Sequence, residues 1–72
     1  MRTLETVRAL VARHVEPPAD EAPLEVDSLV LVSIVEDLED TFAFRIRAED
    51  LVPENFESVG VIARFVDARV GR

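Results

Sequence analysis

The chain has no cysteine. There is therefore no disulfide staple, no thiolate nucleophile and no cysteine zinc site. It has one histidine, His14, which leaves histidine-based triads and histidine-rich metal sites without partners, so no catalytic residues and no metal ligands are expected. It has no lysine: all eight basic residues are arginine. No apolar run approaches the roughly 20 residues that a membrane span needs. The N-terminus lacks the basic region and long apolar stretch of a secretory signal. At 72 residues the expectation is one small domain over residues 1–72, which buries only roughly 60% of its unfolded surface and has no room for a cleft walled by two layers. With 49% hydrophobic residues in clear periodicity, disorder is not expected. These exclusions point to a soluble, cytoplasmic, monomeric helical module.

What is present is acid, unevenly spread. Fifteen acids and eight bases give a net charge of −7. Residues 16–57 hold thirteen acids and only Arg45 and Arg47, or −11, while the two ends together carry +4. An acidic middle repels nucleic-acid phosphate and anionic lipid, and it attracts proteins with basic docking patches. Solubility alone accounts for many acidic proteins, but not for this local concentration. Like charge along residues 36–50 also predicts that salt or a divalent cation raises the melting temperature.

Leu4, Val7, Leu10, Val11 and Val15 fall on one helical face and predict a first helix over about Thr3–Val15, with Thr3 as N-cap and Glu5 in the first turn. Pro17 and Pro18 stop it. Residues 16–26 read as a proline-limited loop pinned by Leu24 and Val26. Leu31, Ile34, Val35, Leu38 and Phe42 define a second helix from Asp27 or Ser28 to about Phe42. Phe44-Arg45-Ile46 reads as an extended connector. Ala48–Leu51 reads as a single helical turn closed by Pro53. Ser58 caps a last helix through about Ala68, with Val59, Ile62, Ala63, Val66 and Val70 inward and Gly60 costing about 1 kcal/mol. The expected fold is all-α, a small antiparallel bundle of three main helices plus one short helix. Phe42, Phe44, Phe56 and Phe65 are expected in the core. His14 is expected on the surface, Glu39, Arg45 and Arg47 solvated, and Asn55 bridging a loop.

Opposite its core stripe, the second helix carries Leu29, Ser33, Glu36 and Asp40, with Asp37 beside them. An apolar knob ringed by carboxylates has the character of a docking hot spot inside a charged rim. Ser28 stands where first-turn N–H groups favour an attached anion, and Asp27 before it is suited to cap the helix. Read alone, an Asp-Ser pair before an apolar helix is most often only a cap.

Leu24-Glu25-Val26-Asp27-Ser28-Leu29, with the helix ending Leu38-Glu39-Asp40-Thr41-Phe42, resembles the acyl and peptidyl carrier protein family. Glu49–Phe56 and Ser58–Val66 look like that family's third and fourth helices, so the similarity covers nearly the whole chain. The resemblance implies that Ser28 receives 4′-phosphopantetheine covalently, that Asp27 assists recognition by a phosphopantetheinyl transferase, and that Leu29, Ser33, Glu36, Asp37 and Asp40 form the partner face. It also implies that a carried chain tucks near Val59 and Ile62. Two departures stand out: Glu25 occupies a position where the family usually has glycine, and the first loop is much shorter than in fatty-acid carriers, which leaves less room for a long acyl chain. The expected function is an acyl or aminoacyl carrier, not an enzyme, that holds small or amino-acid-derived intermediates as thioesters in a specialised pathway of fatty-acid, polyketide or nonribosomal-peptide type. Its expected partners are the transferase and loading and processing enzymes with basic patches. Met1 fits a free-standing carrier. The competing reading is an interaction module whose acidic helix works without a prosthetic group. A hydrolase is disfavoured, because Ser28 has no base near it in sequence.

Overall fold

A computed structural model describes residues 3–71, all helix, turn and loop with no strand among them. Helix α1 spans Thr3–Val11, α2 Ser28–Phe42 and α3 Val59–Arg69, and two 3-10 turns, Ala48–Asp50 and Pro53–Asn55, lie between α2 and α3. Val7, Leu10 and Val11 of α1, Ile34 and Leu38 of α2, and Val59, Ile62, Ala63 and Val66 of α3 form one buried core that Phe56 completes. Leu31, Val35, Phe42 and Val70, also expected inside, pack half-buried at its edge. Phe65 links the rings of Phe44 and Phe56, with centroids 6.3 and 5.8 Å away. Thr3 at the start of α1 meets Asp67 near the end of α3 (2.7 Å), as antiparallel neighbours do.

Several sequence expectations are corrected. Helix α1 ends at Val11, and residues 12–15 tighten into turns in which Arg13 N–H bonds Leu10 and His14 N–H bonds Val11. The prolines two residues further on draw the chain out of helical geometry before they are reached. Thr3 is not the cap of α1: its buried hydroxyl donates to Asp67. The segment expected to hold one short helix holds two 3-10 turns, because Pro53 lacks an N–H and pushes Val52 to an extended φ −116°, ψ 150°. Proline then opens the second turn, a position where its missing donor costs nothing. His14 is only partly at the surface. Its ring is 22% exposed, and Nε2 lies 2.7 Å from Asp37 Oδ2. Glu39 is more than solvated, since its Oε2 accepts from the Ile46 N–H at 2.7 Å and so ties the connector to α2.

The loop before α2 is held at four points. Arg8 bonds the Asp20 carboxylate and the Pro18 carbonyl. Gly60 N–H donates to the Asp20 carbonyl (2.7 Å), and Leu24 N–H to the Glu57 carbonyl (2.7 Å). Arg64 grips Glu21 with two hydrogen bonds. Gly60 is needed here for space: a Cβ would lie 3.1 Å from the Asp20 carbonyl oxygen and 2.8 Å from Glu21 Cδ. The clamped loop delivers the chain to the start of α2 in a fixed place.

Candidate prosthetic-group site

Asp27 sits in extended backbone, φ −81°, ψ 176°, and its Oδ1 accepts from the Val30 N–H at 2.9 Å. It is the N-cap of α2, the role its side chain predicts. Ser28 is the first residue of the helix and is exposed. Of the three serines, Ser58 is buried as the cap of α3, accepting from Val61 N–H, and Ser33 is half-buried. Ser28 is the one of the three that is exposed as a residue, and its side chain has no hydrogen-bond partner among the described residues. A phosphate joined to that oxygen meets the unpaired N–H groups and partial positive charge of a helix start, worth roughly 0.3–1 kcal/mol. The position therefore fits an attached phosphodiester. No hydrogen bond among the described residues joins Ser28 to His14, the one histidine, whose Nε2 instead faces Asp37 Oδ2 at 2.7 Å.

The remaining predicted residues fall into two groups. Leu29, 80% exposed, shares an exposed strip of α2 with Glu36 and Asp40. Ser33 lies between them, half-buried. Asp37 is turned toward the turns that follow α1, where His14 and Arg13 (3.5 Å) hold its carboxylate. The sequence reading missed Val32, which is 54% exposed one turn after Leu29 and widens the apolar part of the strip. Its spacing of three from Leu29 was the available signal. Arg45 is solvated as expected, 89% exposed and 4.0 Å from Glu39, and the Asn55 side chain bridges to the Asp50 carbonyl.

An open groove of about 600 Å³ runs beside the start of α2. Leu24 and Val26 of the loop, Leu31 of α2, Leu51 and Val52 of the turn segment, and Val61 of α3 give it apolar walls. Val26 and Leu31, which line the groove, stand two residues before and three after Ser28, which does not itself line it. Val59 and Ile62 do not line it: both are fully buried, and the groove is lined on that side by Ser58, the cap of α3, and Val61. The short loop thus does not abolish a recess next to Ser28.

No group of three or more acidic, histidine or cysteine side chains among the described residues could hold a metal ion. No helix among them is long and apolar enough to cross a membrane. Comparison with curated proteins and with solved structures finds no match. Comparison with protein families matches residues 5–66 to the phosphopantetheine attachment site family, whose members are non-catalytic domains modified by a phosphopantetheinyl transferase. The match spans α1 through most of α3 and includes the free serine at the start of α2, and on it the chain belongs to the phosphopantetheine-binding carrier family.

Proposed function

We propose that Ser28 is the residue that carries 4′-phosphopantetheine and that the protein holds acyl or aminoacyl intermediates for partner enzymes. The observation that carries this reading is an exposed serine without a side-chain partner at a capped helix start, a combination that neither of the other two serines has. The arm supplies a terminal thiol on which a carboxylic acid is held as a thioester. The chain's own contribution is positional: Asp27 and the clamped loop fix the anchor, and tethering keeps the cargo at high effective concentration. Leu29, Val32, Glu36 and Asp40 offer an apolar centre with an acidic rim to enzymes with basic docking patches. Such contacts form quickly by charge steering and release quickly, which suits a carrier that visits enzymes in turn. Asp37 contributes to this face less directly, through its ties to the turns after α1. The groove supports a cargo with an apolar portion, since recesses of ~300–1,000 Å³ shelter small ligands.

Incubation of the apo protein with coenzyme A and a broad transferase, followed by intact mass, tests the assignment. The expected result is a gain of one phosphopantetheine, abolished by Ser28→Ala. A gain that survives Ser28→Ala overturns it. So does no gain at all with a transferase shown active on another carrier, the result expected of an interaction module that works without a prosthetic group.

A further inference from the structure

Glu21 lines the groove beside α2 and also a second, smaller recess of about 220 Å³ bounded by Thr3, Leu4, Ala63 and Asp67 along the α1–α3 side. No other residue lines both. Its side chain, 64% exposed like that of Arg64, lies between them. Arg64 Nη2 bonds Oε1 at 3.0 Å, Nη1 bonds Oε2 at 3.1 Å, and the carboxylate lies over the bare Cα of Gly60. The Arg64 guanidinium also holds the Glu21 carboxyl below the usual carboxylate range. The partition is therefore a charged pair at the margin of a recess whose other walls are largely hydrocarbon. An apolar chain lying in the groove gains little by extending over this solvated ion pair at its lining.

We propose that Glu21 is a specificity-determining residue, the end-stop that limits how long an apolar cargo the groove shelters, and that shortening its side chain joins the two recesses into one longer channel. The inference rests on Ser28 as anchor. It concerns a length limit, and no feature of the anchor itself depends on it.

The test loads the apo protein with butyryl-, octanoyl- and dodecanoyl-phosphopantetheine from the corresponding coenzyme A thioesters by means of a broad transferase. Intact mass first reports loading. If loading fails or persists in Ser28→Ala, the anchor reading falls, and the length limit falls with it. On loaded protein, the half-life of each thioester against hydroxylamine reports shelter. Each further methylene withdrawn from water shifts the sheltered-to-exposed ratio roughly two- to fourfold. In the wild type, protection rises from butyryl to octanoyl and gains little at dodecanoyl. In Glu21→Ala, the dodecanoyl half-life lengthens by roughly tenfold, while butyryl is unchanged. Glu21→Gln keeps the bulk and a hydrogen bond to Arg64, and it retains the wild-type limit. Protection that ignores chain length in the wild type overturns the proposal. So does a limit unmoved in Glu21→Ala, or one moved equally by Glu21→Gln.

Discussion

Asp27 combines two roles that substitution can separate. Its Oδ1 caps α2 through Val30 N–H, and its exposed charge stands next to Ser28, whose hydroxyl is proposed as the anchor. Asp27→Ala loses both and is expected to cost about 1 kcal/mol in urea denaturation. Asp27→Asn keeps a capping oxygen and is expected to stay within a few tenths of wild type. If the transferase reads the charge, Asp27→Asn still lowers kcat/KM for modification by about tenfold, the loss of one charge-assisted hydrogen bond. Equal modification rates for Asp27→Asn and wild type would reduce Asp27 to a cap. Asp27, Ser28, Leu29 and Ser58 were legible in the sequence because capping and helical phase are decided within a few residues. Thr3, His14 and Glu39 were not. Their partners Asp67, Asp37 and Ile46 lie 64, 23 and 7 positions away, and no local pattern announces such pairings.

The three helices follow from apolar spacing, and their bounds differ from expectation by a few residues at most except at the end of α1. The segment between α2 and α3 follows a different rule. It buries little apolar side chain besides Phe56, and a polar knot holds it. Asp50, 8% exposed, accepts from Arg69 Nη2 (2.5 Å) and Arg47 N–H (2.9 Å), and its carbonyl accepts from Asn55 (2.8 Å). The sequence showed the charges but not their convergence, because Arg69 comes from the last turn of α3. The Arg69 hydrogen bond, then the Arg47 N–H, hold the Asp50 carboxyl below its usual range. A depressed folded value means that the stabilisation is fully present above about pH 4, where the unfolded carboxyl is ionised. It is lost as pH falls through the lower folded value. Asp50→Asn is therefore expected to melt below wild type at pH 7, with the gap closing toward pH 3. Thermal melts across that range check it, and a gap independent of pH would show that the ionised carboxylate is not what holds the turn.

Over the whole molecule, the uneven charge of the sequence becomes the stitching of the fold. Arg8, Arg13, Arg64 and Arg69 come from the basic ends, and each pairs with an acid of the middle: Asp20, Asp37, Glu21 and Asp50. The pairs with Asp20, Glu21 and Asp50 anchor the loop before Ser28 and the turn segment after α2, the two irregular stretches that flank the groove. Glu36 and Asp40 on α2 remain exposed, as do Glu25, Glu49, Glu54 and Glu57, and such acids leave the chain a net charge of −7. Salt acts on both populations. Exposed pairs are worth roughly 0–1 kcal/mol each and lose part of that on screening. Repulsion within an unbalanced charge of this size acts over many pairs at once. The second effect is expected to win, so millimolar magnesium chloride, which screens and bridges carboxylates, raises the melting temperature. Relief of roughly 0.5 kcal/mol corresponds to about 2–4 °C in a domain of this length. The double variant Glu36→Gln, Asp40→Asn removes the exposed charge at its source and should show a smaller magnesium response from a higher starting point. A drop in melting temperature with magnesium, or an undiminished response in the double variant, would mean that the arginine stitches outweigh the repulsion of the acidic face.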